Sequence, residues 1–124
     1  MPGVEVVERW AFNCCEALMV VECGKLKIIK NCAFCGCESL ISIDLTSVEV
    51  VGDGAFQSCE ALTDAKFGNK LERLGEWAFY YCESLERIAI PLKDGLFRHV
   101  NIFAECYNLK HVDLVEGELH LTIA

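Results

Sequence analysis

The phenylalanines of this chain recur at a nearly fixed interval, and that interval constrains the fold more than any other feature. Phe12, Phe34, Phe56, Phe79 and Phe103 are separated by 22, 22, 23 and 24 residues. Alanine precedes each of the first four (Ala11, Ala33, Ala55, Ala78), and a cysteine stands three residues after all five: Cys15, Cys37, Cys59, Cys82 and Cys106. Leucine follows at six (Leu18, Leu40, Leu62, Leu85, Leu109). Nine residues on, the column reads Val21, Ile43, Ala65, Ile88, Val112, and eleven on it reads Cys23, Leu45, Phe67, Ile90, Leu114. Another apolar set, Val7, Ile29, Val51 and Leu74, lies five residues ahead of the first four phenylalanines. Self-similarity at such a period marks a stacked array, because a unit this small cannot bury an apolar face alone and must be covered by the next copy.

Within each unit the last apolar residues are two apart, the period of a strand whose side chains alternate between faces. Val21 with Cys23, Ile43 with Leu45 and Ile88 with Ile90 are therefore expected to point into a core. The stretch A-F-x-x-C-x-x-L has apolar residues three apart, a spacing that fits a short helical or 3₁₀ turn. The prediction is an α/β-type solenoid: a right-handed coil of five repeats, each with one short parallel strand and one such turn, with the phenylalanines piled along its axis. A chain of 124 residues normally makes one domain, and its 53% apolar content suffices for a core. That domain spans 1–124, with repeats at roughly 4–25, 26–47, 48–70, 71–94 and 95–124.

The run A-F-x-x-C-x-x-L-x-x-I-x-L, with an apolar-glycine pair ahead of the alanine at Val51-Gly52 and Leu74-Gly75, resembles the BspA-like leucine-rich repeat. The resemblance covers roughly residues 4–114 in five copies. It implies a leucine-rich repeat solenoid, and a role in adhesion or protein binding like that of family members from bacterial surfaces and protists. Two departures stand out: the family's proline after the strand occurs only as Pro91, and GLFRHVNIF replaces the usual approach to the fifth phenylalanine.

Nineteen acids against eleven bases give a net charge of −8, which excludes nucleic-acid backbones and anionic lipid surfaces as natural partners. A neutral or basic protein surface fits better. The opening MPGVEVVERW carries acids where a signal peptide would carry its apolar core, and no stretch approaches the ~18 apolar residues of a membrane span. Nine cysteines cannot all pair internally. The five in one column either bridge or ligate between rungs, or pack as small apolar residues; parallel side chains do not aim at each other, so packing is expected.

Cys32 and Cys35 flank Ala33-Phe34 and are the zinc or thiol-redox candidates, with Cys14 a layer away. A thiolate zinc site usually needs a second pair, and no other C-x-x-C occurs, so no metal or cofactor is expected. Many thiols without a pairing scheme favour a reducing, intracellular compartment. His99, His111 and His120 lack ligand spacing, and neither a nucleophile elbow nor a phosphate-binding glycine loop appears, so the chain is read as a non-enzyme. Glu16, Glu38, Glu60 and Glu83 form an acidic stripe on a solvated face. Trp10 and Trp77 share a column two residues before the phenylalanine and are expected to be partly buried against a neighbouring layer.

Residues between the inward strand positions should form a concave binding face. Its columns are Val20, Ser42, Asp64, Arg87, His111; Glu22, Asp44, Lys66, Ala89, Asp113; and Met19, Ile41, Thr63, Glu86, Lys110. The core columns barely vary among units, while these vary freely in charge and size. The reading is a non-catalytic protein interaction module. Its alternative is a self-assembling piece, or a segment of a longer protein, joined through the apolar ends VEVVERWAF and LHLTIA.

Overall fold

Equivalent residues of successive repeats lie side by side in the computed structural model, which describes residues 3–97 and 101–115. The strand end of the repeat forms β2 (Val20–Val21) paired with β4 (Ser42–Ile43), and β6 (Asp64–Lys66) paired with β8 (Arg87–Pro91), which pairs in turn with β9 (His111–Val115). Every pairing is parallel. The register sets Val21 beside Ile43, Ala65 beside Ile88 and Ile88 beside Val112, the column read from the sequence. A bridge from Leu45 to Phe67 joins the two groups of strands.

The chain has a second parallel sheet, where the sequence reading allotted one strand to each repeat. It runs β1 (Val6–Val7), β3 (Ile28–Ile29), β5 (Val50–Val51), β7 (Arg73–Leu74) and carries the column Val7, Ile29, Val51, Leu74. Val6, Ile28 and Val50 precede those residues, so the first three strands are β-branched pairs, which favour an extended backbone.

The expected helical or 3₁₀ turn is not formed: no helix occurs among the described residues. A helix would use each N–H inside its own segment, whereas here the N–H groups alternate between two destinations. Ala11, Asn13 and Cys15 donate three residues back, to Glu8, Trp10 and Phe12 at 3.2, 3.1 and 3.1 Å. Trp10, Phe12 and Cys14 donate instead to Asn31, Ala33 and Cys35 of the next rung, at 3.3, 2.8 and 2.8 Å. In the third rung Gly54, Phe56 and Ser58 likewise donate to Glu76, Ala78 and Tyr80, at 2.9, 2.8 and 2.8 Å.

This alternation turns the backbone left-handed twice per rung. One column is Trp10, Cys32, Gly54, Trp77 (φ 62, 56, 62, 62°), and the other is Cys14, Gly36, Ser58, Tyr81, Glu105 (φ 57, 76, 59, 60, 63°). The spacing of three that imitates a helix is the spacing of linked turns: Cys15 N–H donates to Phe12, and Leu18 N–H to Cys15.

The phenylalanines form a single spine. Successive ring centroids are 5.3, 5.4, 5.1 and 5.6 Å apart with planes within 5, 3, 8 and 14° of parallel, and Phe67 meets Phe79 edge-on at 6.1 Å. Leu26, Val48 and Leu71, eight residues ahead of their phenylalanines, complete the core. Val112 and Leu114, read as inward-facing, are 57% and 61% exposed. They belong to the last described rung and have a described layer on one side only. His99, His120 and the closing LHLTIA lie outside the described residues.

Candidate binding face

Along each strand the inward column is anchored in the core, so its neighbours must face out. Val20, Glu22, Ser42, Asp64, Lys66, Glu86, Arg87, His111 and Asp113 are exposed, and Asp44 is half-buried. The structure thus brings the sequence-predicted residues together on one side of the coil. Ala89 is a correction: it is buried, because its methyl stands in register between Lys66 and Asp113, whose longer side chains shade it. Arg87 reaches diagonally to Asp113, Nε to Oδ2 at 3.4 Å, and both ends remain half-exposed. Asp44 Oδ1 accepts from Thr46 N–H at 3.1 Å and from its hydroxyl at 2.6 Å, closing a local turn.

The face is graded. Its first two rungs expose Met19, Val20 and Ile41 beside the single carboxylate Glu22, and its later rungs expose Asp64, Lys66, Arg87, Lys110 and Asp113. Between them an open depression is lined by Ile41, Ser42, Asp44, Thr63, Asp64 and Lys66.

A family model, the BspA type leucine rich repeat region, matches residues 5–120 in six copies. The chain belongs to the BspA-type leucine-rich repeat family. Two solved structures share the fold. A leucine-rich cell surface protein from Faecalibacterium prausnitzii aligns with a TM-score of 0.78 at 24% identity, over 95% of this chain and 31% of that one. The leucine-rich repeat protein of T. pallidum aligns at 0.58 and 26% identity, over 89% of this chain and 63% of that one. This repeat array thus spans less than two thirds of the length of either solved protein. No curated protein matches it in sequence.

The ladder cysteines of this leucine-rich repeat have a partner that spacing alone did not reveal. The thiols of Cys37, Cys59, Cys82 and Cys106 each reach the carbonyl of the phenylalanine one rung earlier, Phe12, Phe34, Phe56 and Phe79, at 3.0, 3.2, 3.1 and 2.9 Å. Each of those carbonyls also accepts the N–H three residues on, so the thiol supplies its second bond. Cys23 similarly donates to the Val4 carbonyl at 2.9 Å. Burial pushes the Cys37 thiol up to about 11 and raises Cys59 as well, so both stay protonated donors at neutral pH.

Cys32 and Cys35 are half-buried and in contact, and the Cys14 N–H reaches the Cys35 carbonyl at 2.8 Å, one rung away. Burial, chiefly, raises the pKa of both Cys32 and Cys35 above that of an ordinary thiol. A protonated thiol is a weak nucleophile and a poor metal ligand. Among the described residues no three His, Cys, Asp or Glu side chains are grouped to hold a metal ion.

A groove on the β1–β3–β5–β7 side, lined by Arg9, Lys30, Asn31, Asp53 and Arg73 among others, was not foreseen from the sequence. Several of its polar groups are occupied in joining rungs. Asn31 Oδ1 accepts from Asp53 N–H and Asp53 Oδ1 from Glu76 N–H, both at 2.9 Å, and Lys30 pairs with Glu8 at 2.9 Å.

Proposed function

We propose that this leucine-rich repeat binds a protein ligand across the outer face of β2, β4, β6, β8 and β9 and performs no chemistry of its own. The observation that supports this reading is the contrast between columns. Positions under the face are apolar in every rung, while those on it run Val20, Ser42, Asp64, Arg87, His111 in successive rungs. Packing fixes the first set, and only what lies outside can select the second. Met19, Val20 and Ile41 of the first rungs supply contact area, the charged side chains supply orientation, and the net charge of −8 favours a neutral or basic ligand. The thiol donors in the core suit a reducing compartment, since oxidation removes the S–H.

Affinity capture names a ligand, and charge reversal then tests the face. Asp44→Lys, Asp64→Lys and Arg87→Glu together should weaken binding of that ligand by about tenfold or more, as when like charges are opposed across an interface. Unchanged affinity in the triple variant would remove this face from the interaction.

Val112 and Leu114, with the 51% exposed Phe97, favour a second reading, end-to-end association of copies through the last described rung. Among the described residues β9 pairs on one edge only, with β8, and an unpaired edge beside apolar side chains invites another strand. Sedimentation should then show mass rising with concentration, and Leu114→Glu should return it to one copy. A single species of one copy up to near-millimolar concentration excludes this reading.

A further inference from the structure

The two left-handed positions of each rung are occupied unequally. The second and third rungs place Gly36 and Gly54 there, the residue such a backbone prefers. The fourth rung places Trp77 in one and Tyr81 in the other, at φ 62 and 60°. The first four rungs all turn left-handed at both positions, so the conformation belongs to the fold, and what sets the fourth apart is an aromatic ring at each. The structure gives these two rings no core to fill. Trp77 and Tyr81 are each 37% exposed, so Trp77 is partly buried as expected of the tryptophan column, whereas Trp10 is 58% exposed.

The rings are part of a band. Trp77 meets Tyr80 edge-on at 4.9 Å, Tyr80 lies 6.1 Å from Tyr81, and Tyr81 meets Tyr107 edge-on at 6.4 Å. Tyr107 is 68% exposed and interrupts the glutamate column, standing where earlier rungs have Glu60 and Glu83. The band is set among carboxylates. Interaction with Glu83, with the fields of Glu60 and Glu105, raises the pKa of the Tyr81 hydroxyl. Asn108 Nδ2 ties the Glu83 carbonyl to the same surface at 2.6 Å. None of Glu60, Glu83 and Glu105 has an ion-pair partner among the described residues.

Aromatic faces beside unpaired carboxylates match one chemistry. A guanidinium stacks on the first and makes paired hydrogen bonds to the second. We propose that Trp77, Tyr80, Tyr81 and Tyr107, with Glu60, Glu83 and Glu105, form a docking site for an arginine-bearing basic segment of a partner protein. The site lies on the turn columns and shares no residue with the strand face.

A fluorescein-labelled Gly-Arg repeat peptide, titrated with the full chain and followed by anisotropy, tests the assignment. The peptide should bind with an affinity that falls as salt rises, and a Gly-Glu repeat should not bind. Trp77→Gly with Tyr81→Gly should weaken binding about three- to tenfold without lowering the melting temperature, because glycine suits both backbones. Tyr107→Ser, at a position outside the core, should weaken it in the same direction. Glu83→Gln with Glu105→Gln should weaken it further than the charge-matched pair Asp44→Asn with Asp64→Asn on the strand face. Equal affinity in the glycine and serine variants, or equal weakening by the two charge-matched pairs, would overturn the proposal.

Discussion

Phe56→Ala should lower the free energy of unfolding by about 3–5 kcal/mol, measured by urea denaturation. The side chain has no exposure and lies between Phe34 and Phe79, with centroids 5.4 and 5.1 Å away and near-parallel planes. Truncation would forfeit the transfer of a whole ring and two stacking contacts. The gap could not close readily. Phe34 N–H to Ala55 and Phe56 N–H to Ala78, both 2.8 Å, hold the rungs at their spacing, as do the flanking bonds of the same turns. The cost of a cavity rises with the volume that neighbours fail to refill. Phe12→Ala makes the internal comparison: Phe12 stacks on one side only and is half-buried, so it should cost about half as much or less. A loss below about 1 kcal/mol at Phe56, or equal losses at the two positions, would mean that the spine does not carry the core.

The spine was legible because packing leaves a mark in residue type. Each core position tolerates few volumes, so Phe, Cys and Leu recur at their steps, and seven of the core columns were read directly. Leu26, Val48 and Leu71 carry the same mark, but the fifth copy does not continue it in step, placing Leu96 one residue closer to its phenylalanine. The turn was misread for a different reason. Apolar residues three apart satisfy a 3₁₀ turn and a series of linked β-turns alike, and only backbone sign separates them. Gly36 and Gly54 gave that sign, but Trp10, Cys14, Cys32, Ser58, Trp77, Tyr81 and Glu105 hid it. A left-handed residue costs about 1–2 kcal/mol, and a rung that stacks on both sides can absorb this. The outward residues of the strand face followed from alternation alone. A ligand for that face did not, because an exposed position carries no packing constraint that would name one. Likewise, the ladder cysteines were placed by their period, while the phenylalanine carbonyls they serve belong to the backbone, which no side-chain pattern records.

Gly75→Ala should destabilise the protein by about 3 kcal/mol, although it adds only one methyl, just past the end of β7. The glycine N–H donates to the Val51 carbonyl at 2.8 Å, which draws the rung against its neighbour. A Cβ there would lie 2.5 Å from Asp53 N, from Asp53 Oδ1 and from Gly52 C. Two of those atoms are backbone, so the clash cannot be relieved by turning a side chain. The rungs would have to part, stretching the bond from Glu76 N–H to Asp53 Oδ1. Gly52 is built alike, since its Cβ would meet Asn31 N at 2.6 Å and Lys30 C at 2.7 Å. The apolar-glycine pairs at Val51-Gly52 and Leu74-Gly75 therefore mark where one layer touches the next. Gly24→Ala is the control: the nearest atom to its added methyl is Asp44 Oδ2 at 3.8 Å, and stability should stay within about 0.5 kcal/mol. If denaturation midpoints show Gly75→Ala no more costly than Gly24→Ala, the rungs are farther apart than the backbone hydrogen bonds require, and the stacking of layers would have to be redrawn.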